Sequence, residues 1–392
     1  MPGILLLYRC QPNLSHQAMP SNTYNKAQPL PGKPLDLCNI DLLRGLATVA
    51  ILVWHYQHFY YPMAAQPLAG WTPNQQPMFE TLKWLYLHGE WAVKFFWILS
   101  GFIFFHVYGQ RRAISAREFF GNRFSRLYPL HFVTLCWVAA LQIFSMHRFG
   151  HFQIYSENDL YHFLLNLAFA SHWGFQSGFS FNAPIWSISV EVLAYAVFFV
   201  YLKYIGVNLV SSFAWLLCSL IFCLIAPGSL CECVALFSLG GCVHQAGEFV
   251  RKRWGAKGNA VCASGATLAI ATVLLSADRL SAAGVQWALL PALIWLAGAL
   301  DGTRVTAGRI GVAFGRLTYA SYLIHIPVQI SIILALDGLI GSRSAINSPQ
   351  FLLGFVATVL ALAWLSYRFI ERPAQLFFRS WMAQPTARAA AK

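Results

Sequence analysis

Residues 40–60 read IDLLRGLATVAILVWHYQHFY, an apolar run in which only Asp41 and Arg44 carry full charges. A bilayer core about 30 Å thick is crossed by about 20 mainly apolar residues in an α-helix, so this stretch predicts a membrane-spanning helix. The whole chain of 392 residues agrees, because 57% of it is hydrophobic and only 10% is charged. Soluble domains carry about 25% charged residues. The composition therefore excludes an ordinary soluble fold and predicts an all-α integral membrane protein.

Ten stretches of the chain have the length and apolarity of such a helix. They are residues 40–60, 90–108, 127–146, 186–203, 209–226, 231–246, 260–275, 285–300, 310–336 and 351–370. The sixth to eighth are the weakest predictions, because they are short and rich in Gly and Ala. We expect a bundle of about ten transmembrane helices over residues 35–375. A disordered cytoplasmic tail over residues 1–34 and a second cytoplasmic tail over residues 376–392 flank it.

Lysine and arginine residues set the predicted orientation of the bundle. Two loops between predicted spans are strongly basic, one holding Arg111, Arg112, Arg117, Arg123 and Arg126 and the other Arg251, Lys252, Arg253 and Lys257. Cytoplasmic loops of membrane proteins carry the excess of Lys and Arg, so both loops and both termini are predicted to be cytoplasmic. The net charge of +13 is then largely an orientation signal, and no nucleic-acid partner is needed to explain it.

A few ionisable side chains lie inside the predicted spans, where they cost several kcal/mol unless they face the bundle interior or a water-filled cavity. Arg44 and His55 are eleven residues apart, which is about 16 Å of rise on nearly one helical face. Glu191 and His325 reach about the depth of His55 on their own helices. We expect these groups to meet, with Glu191 orienting an imidazole and a histidine acting as general base. A structural polar network is the alternative.

No metal site is predicted. Cys231 and Cys233 flank a single residue, which is too close for a usual structural zinc pair, and no second pair follows them. His55 and His58 have a spacing that could ligate a metal or haem, but no partner pair at the same depth is evident.

Six short motifs, in this order along the chain, resemble the membrane-bound acyltransferase 3 family. They are Asp41-Leu-Leu-Arg44-Gly45 followed by His55, residues 95–102 (FFWILSGF), residues 122–129 (NRFSRLYP), residues 186–191 (WSISVE), residues 321–325 (SYLIH) and residues 371–373 (ERP). The resemblance extends from Leu35 to Gln375. Lys94 departs from it, because the family often has an acidic or small polar residue there, so the contacts of the second span are left open.

The resemblance implies an O-acyltransferase whose chain crosses a bacterial inner membrane many times. Such an enzyme moves an acyl group, usually acetyl, from cytoplasmic acetyl-CoA or another acyl-CoA to a hydroxyl of a glycan. Exopolysaccharide, O-antigen and lipid-linked sugars are the acceptors to expect. The expected partners are therefore acyl-CoA, a carbohydrate acceptor, membrane lipids and proteins of glycan assembly or export.

The catalytic roles follow from this resemblance and from the chemistry of the side chains. His55 is expected to remove the proton from the acceptor hydroxyl, while Glu191 supports its imidazole. Donors to the developing oxyanion are sought among Tyr322, His325 and Ser187. Ser100 is expected to allow close helix packing rather than to act as a nucleophile.

Arg123 and Arg126 are expected to bind the phosphates of coenzyme A, because they are three residues apart and present two guanidinium groups side by side. Anionic lipid headgroups are the alternative ligand for this pair. Arg44 is expected to contact the donor further inside. Trp186 and Ser187 are expected to bind substrate, and the aromatic outer loops over residues 61–89 and 147–185 suit either sugar stacking or an interfacial belt.

Two other functions compete with an acyltransferase. Intramembrane His, Glu and Arg also mark transport paths, so a transporter or flippase for a lipid-linked glycan is the main alternative. The paired repeats common in such folds are not evident in the sequence. A regulatory member of the fold without activity is disfavoured, because Arg44, His55 and Glu191 are all present. Consumption of acyl-CoA separates an enzyme from a flippase.

Overall fold

The computed structural model describes residues 37–64, 66–109, 111, 114–275, 281–301 and 307–383. The predicted tail over residues 1–34 lies outside the described residues, as do residues 384–392 of the second tail. Within the described part the chain is helical and contains no β-strand. The structure thus confirms an all-α integral membrane protein.

The helices of the described residues are numbered α1 to α12 in chain order. The first six are α1 (Cys38–His55), α2 (Phe79–His88), α3 (Trp91–Tyr108), α4 (Ala116–Phe149), α5 (Leu160–Leu167) and α6 (Ile185–Tyr204). The others are α7 (Leu209–Ile225), α8 (Ser229–Leu275), α9 (Ala282–Asp301), α10 (Gly308–Ile340), α11 (Pro349–Ser366) and α12 (Arg372–Ala383). A 3-10 helix over Tyr56–Tyr60 continues α1, and a π-helical turn over Tyr367–Glu371 joins α11 to α12.

Eight helical segments among the described residues are long and apolar enough to cross a membrane. Helix α7 is apolar but shorter than these eight. Helix α8 is broken at Gly255, whose φ of 60° and ψ of −146° are not helical, so it contains the sixth and seventh predicted spans as two segments. With α7 and both segments of α8 counted, ten candidates result. The number of ten spans and the orientation remain predictions.

Helices α3 and α8 pack closely because a glycine on each helix faces the backbone of the other helix. A Cβ added to Gly101 would lie 1.8 Å from the carbonyl oxygen of Phe237, and one added to Gly240 would lie 1.8 Å from that of Ile98. Small residues let helix backbones approach each other in membranes. This contact fixes the position of α3, and neighbouring Ser100 faces a cavity whose lining contains no residue of α8.

Lys94 has defined partners in this packing. Its Nζ lies 2.7 Å from Oε1 of Glu232 on α8 and donates to Oε1 of Gln286 on α9 at 3.0 Å. The Nε2 of Gln286 donates to the same Glu232 oxygen at 3.0 Å. The three side chains therefore satisfy one another and tie α3, α8 and α9 together, which answers the question left open by the sequence.

Helix α10 packs along α1 and carries a proline in its interior. Pro327 has no N–H, so the carbonyl oxygen of Leu323 loses its helical donor. The side-chain amide of Asn182, in the loop before α6, donates to that oxygen at 2.8 Å. This bond fastens the start of α6 to the segment of α10 that carries Tyr322 and His325.

Candidate active site

Helices α1, α3, α4, α6 and α10 surround a cavity in the bundle, called the arginine cavity below. Its polar lining consists of Arg44, Ser100, Arg123, Arg126, Ser187, Glu191, Tyr195, Thr318, Tyr319 and Tyr322. Apolar walls complete it, among them Phe96, Trp97 and Phe104. The three arginines predicted to bind the donor therefore lie in one cavity together with Glu191, Ser187 and Tyr322.

Two of the three arginines have specific partners around the cavity. Arg44 donates to Oδ1 of the buried Asp41 at 2.8 Å, one turn away on α1. Arg123 donates to the hydroxyl of Tyr108 at 3.1 Å, and its guanidinium carbon lies 4.5 Å from the ring centre of Phe104. A guanidinium over an aromatic face gains a cation–π attraction. The Nε of Arg123 is nevertheless buried without a hydrogen-bond partner among the residues that the structure describes, which leaves one donor for a ligand.

Arg126 lies one turn beyond Arg123 on α4 and interacts electrostatically with the other two arginines and with Glu371. Glu371 is buried, and its Oε1 has no hydrogen-bond partner within the described part of the chain. Among the residues lining the cavity, three positive charges face the single negative charge of Glu191. Mutual repulsion of the guanidinium groups makes the cavity a favourable place for an anion.

Glu191 is held by groups on two helices. The hydroxyl of Tyr195 donates to its Oε1 at 2.5 Å, and the side chain of Ser100 interacts with the same carboxyl group. Arg123 and Arg126 act on it electrostatically. The carboxylate therefore belongs to the arginine cavity.

The opposite wall of the cavity is built around Tyr322. Its hydroxyl donates to the carbonyl oxygen of Pro184 at 2.7 Å and lies 2.7 Å from the hydroxyl of Ser187. The indole of Trp97 donates to the Ser187 carbonyl at 3.3 Å and contacts Trp186 edge-on, with ring centres 5.7 Å apart. Trp186 thus backs the cavity wall rather than lining it.

Three histidines form a second site, called the histidine cluster below: His55, His58 and His325. The ring centre of His55 is 4.7 Å from that of His325 and 5.2 Å from that of His58. His325 is fully buried and His55 nearly so. The structure therefore brings together the two histidines predicted to share one depth, and it adds His58.

The orientation of His55 identifies the ring nitrogen that carries its lone pair. Nδ1 lies 3.0 Å from the carbonyl oxygen of Ile51, one turn back on α1. A carbonyl oxygen can only accept a hydrogen bond, so this contact requires the proton of a neutral imidazole on Nδ1. Nε2 then carries the lone pair, as a general base needs.

Several polar atoms of the histidine cluster are buried without a hydrogen-bond partner among the described residues. They are Nδ1 of His58, both ring nitrogens of His325 and Oε1 of Gln329. Weaker contacts of poorer geometry remain, between His58 and Gln329 and between His325 and the backbone at Ser321 and Tyr322. The Nε2 of Gln329 donates to the His55 carbonyl at 2.9 Å, where α1 changes into the 3-10 helix. Buried polar atoms are normally hydrogen-bonded, so these atoms mark a place suited to a polar ligand.

The predicted contact between Glu191 and a histidine is not found. Within the described part of the chain, Glu191 makes no ion pair or hydrogen bond with His55 or His325, because its carboxyl group faces Tyr195, Ser100 and the arginines. Tyr322 connects the two sites instead. It lines the arginine cavity, and its ring centre is 6.0 Å from that of His325.

Helical spacing could have revealed the residues that the sequence interpretation missed. His58 lies three residues after His55, Tyr195 four after Glu191 and Gln329 four after His325. Residues three or four apart share a helix face. Polar neighbours at these offsets were signals of the same sites, although His58 alone resembles an interfacial histidine.

One other group of acidic and histidine side chains lies outside both sites. Glu157, Asp159 and His162 are close enough to share a metal ion. However, Nδ1 of His162 bonds Asp159 at 2.8 Å, and its Nε2 accepts the backbone N–H of Ser177 at 3.2 Å. The bonds from the backbone and ring of His162 lower the pKa of Asp159. Both ring nitrogens are engaged, so this group caps α5 and offers no free ligand nitrogen.

Comparison with known proteins gives one match. The model of a family described as an acyltransferase domain, the acyltransferase 3 family, matches residues 39–368. This range includes the histidine cluster, Glu191 and the three arginines of the cavity. No curated protein and no solved structure matches the chain.

Proposed function

This chain belongs to the acyltransferase 3 family of membrane acyltransferases, and from that premise we propose that it transfers an acetyl or other acyl group from cytoplasmic acyl-CoA to a hydroxyl of a carbohydrate. The observation that carries the proposal is the adjacency of the arginine cavity and the histidine cluster, which meet at Tyr322. The first suits an anionic donor, and the second suits proton transfer.

The arginine cavity is the proposed site of the donor. Coenzyme A carries phosphate groups, and guanidinium groups bind phosphates through short charge-assisted hydrogen bonds. Arg123 and Arg126 on α4 take the phosphates, with the unpartnered Nε of Arg123 as one donor. Arg44 and the apolar walls then contact the thiol arm, which extends toward Tyr322.

His55 is the proposed general base. Its Nε2 takes the proton of the acceptor hydroxyl while the hydroxyl oxygen attacks the thioester carbon. The carbon–sulfur bond then breaks, and the departing thiolate receives the proton from the imidazolium. Free coenzyme A and the acylated acceptor are the products, and His55 returns to its starting state.

His325 is the proposed donor to the developing oxyanion. Its ring lies 4.7 Å from that of His55, and neither of its nitrogens makes a hydrogen bond of good geometry among the described residues. A buried N–H that is only weakly engaged can bond the oxyanion at little cost. Tyr322 is a weaker candidate, because its hydroxyl already donates to the Pro184 carbonyl.

Glu191 has a different role from the one expected from the sequence. It lies beside Arg123 and Arg126 and bonds Tyr195, so we assign it to the donor site. There it keeps the arginines charged and oriented around the phosphates. Trp186 packs against Trp97, which bonds the Ser187 carbonyl. In this proposal the acceptor enters from the side of Ser187. Such an enzyme works in a bacterial inner membrane beside glycan assembly or export proteins.

Acyl-CoA turnover by the purified protein in lipid nanodiscs tests the proposal. With acetyl-CoA and a fraction of surface polysaccharide as acceptor, we expect free thiol to appear together with ester-linked acetate on the carbohydrate. His55→Ala should abolish both products. With the same protein in sealed lipid vesicles, acceptor movement across the bilayer without thiol release would instead identify a flippase and overturn the proposal.

A further inference from the structure

A second pocket lies at the predicted outer end of the bundle, apart from the arginine cavity. Its volume is about 560 Å³, within the usual range of ligand pockets. Its lining is Tyr60, Pro62, Leu68, Gln75, Phe149, His151, Asp337, Gly341, Ser342, Arg343, Ser344, Ile346 and Asn347. None of these residues lines the arginine cavity. We call it the outer pocket.

The outer pocket is attached to the segment that carries the histidine cluster. Tyr60 ends the 3-10 helix that begins after His55, and its hydroxyl donates to Oδ1 of Asn347 at 2.8 Å. Arg343 donates to the carbonyl oxygens of Phe59 and Tyr61 at 2.9 and 2.7 Å. These bonds hold the walls of the pocket in a fixed position relative to His55.

The charges of the outer pocket are already neutralised. Arg343 bonds both carboxylate oxygens of Asp337, at 2.7 and 2.5 Å. Together with its two carbonyl contacts, these bonds use four of the five N–H donors of the guanidinium group. A phosphate or carboxylate ligand would find at most one free guanidinium donor and no uncompensated positive charge on Arg343, so the pocket does not favour an anion.

The remaining chemistry suits a neutral polyhydroxyl ligand. Amide and hydroxyl groups of Gln75, Asn347, Ser342 and Ser344 line the pocket. The half-buried ring of Phe149 lines the pocket next to His151, with ring centres 6.2 Å apart. Aromatic rings that have polar atoms around them pack against the apolar faces of sugars while the polar atoms bind the hydroxyl groups.

Distance separates this pocket from the reacting centre. Tyr60 lies five residues beyond His55 in a 3-10 helix, which rises about 2.0 Å per residue, so the two are about 10 Å apart along the axis. We propose that the outer pocket binds a neutral sugar unit of the acceptor other than the unit that is acylated. This inference rests on the proposed function, and it means that the acceptor is an oligosaccharide or polymer.

The test compares acceptors of different length. Neutral oligosaccharides released from the surface polysaccharide of the source organism are separated by size and used with acetyl-CoA in nanodiscs. We expect KM to fall as the acceptor lengthens. Ser344→Trp fills the pocket and should remove this dependence, whereas Ala345→Trp, an exposed neighbour outside the lining, should keep it. Ser342→Trp provides a second blocking variant if Ser344→Trp does not fold.

Binding without the donor separates this inference from the proposed function. The same oligosaccharides are titrated into the protein without acyl-CoA, followed by nuclear magnetic resonance saturation transfer from protein to sugar. Transfer that is weakened at least several-fold in Ser344→Trp, but not in Ala345→Trp, supports the pocket even if no thiol is released. Equal binding by both variants, or a KM that does not change with acceptor length in the wild-type protein, overturns it.

Discussion

The arginine cavity and the histidine cluster lie side by side in one helix bundle, but they differ in how far their polar atoms are hydrogen-bonded. In the cavity, Arg44, Arg123 and Glu191 each bond a neighbour: Asp41, Tyr108 and Tyr195. In the cluster, four buried atoms of His58, His325 and Gln329 have no partner among the described residues. Leaving such an atom unsatisfied costs about 1–3 kcal/mol.

This contrast indicates a division of labour. A cavity with an excess of positive charge, whose arginines are largely held in place by neighbours, can hold an anionic donor without large rearrangement. A cluster of unpaired and uncharged nitrogens gains most when a substrate hydroxyl or an oxyanion supplies the missing bonds. In the proposed function, donor binding takes place at the first site and proton transfer at the second, so variants of each should change different kinetic constants.

The largest effect is expected from His55→Ala. Removing a general base lowers kcat by about 10²- to 10⁴-fold, while donor binding in the arginine cavity should stay unchanged. Thiol release measures the rate, and titration with a non-hydrolysable acyl-CoA analogue measures binding. His147→Ala, an exposed histidine of α4, is the control. A rate within a few-fold of wild type would remove His55 from the mechanism.

The arginines should behave in the opposite way. Arg126→Gln or Arg123→Gln removes a charge-assisted bond of about 1.5–3 kcal/mol, so KM for acyl-CoA should rise about 10- to 100-fold. The value of kcat should change much less. Arg117→Gln is a matched control on the same helix, since Arg117 packs over Trp381 outside the cavity. An unchanged KM in both cavity variants would favour the lipid-headgroup role of this pair.

The helices and the depth of the polar groups could be predicted from the sequence, because both depend on run length and on rise per residue. Depth arithmetic correctly placed His55 beside His325. It could not place Glu191, since the rotation of α6 about its own axis depends on packing against other helices. That rotation directs Glu191 toward Tyr195 and the arginines.

Local breaks in helix geometry could not be predicted from the sequence either. The change from α1 into a 3-10 helix at Tyr56 sets the directions of His58 and Tyr60, and Gln329 bonds the carbonyl at that point. Pro327 predicts that one backbone hydrogen bond of its helix is missing. Nothing in the sequence predicts that Asn182, far away in the chain, donates to the Leu323 carbonyl left without a helical donor. Such long-range partners decide how the two sites meet.

Gln329→Leu should affect the histidine cluster alone. It removes the bond to the His55 carbonyl, a net loss of about 0.5–1.5 kcal/mol, so kcat should fall by up to about 10-fold with KM for acyl-CoA unchanged. The split between the two constants distinguishes positioning of His55 from general loss of structure. Ser331→Ala is the control, because its hydroxyl also bonds a main-chain carbonyl of α10, that of Pro327. Equal losses in both variants would contradict the positioning role.

Tyr322→Phe tests the boundary between the two sites and should have the smallest effect. The phenyl ring keeps the contact with His325, and only the bonds to Pro184 and Ser187 are lost. A net loss of about 0.5–1 kcal/mol predicts a fall in kcat of roughly 2- to 5-fold. Loss of a true oxyanion donor costs about 10²- to 10³-fold. A fall of that size would move the oxyanion donor from His325 to Tyr322, and with it the reacting carbon from the histidine cluster into the arginine cavity.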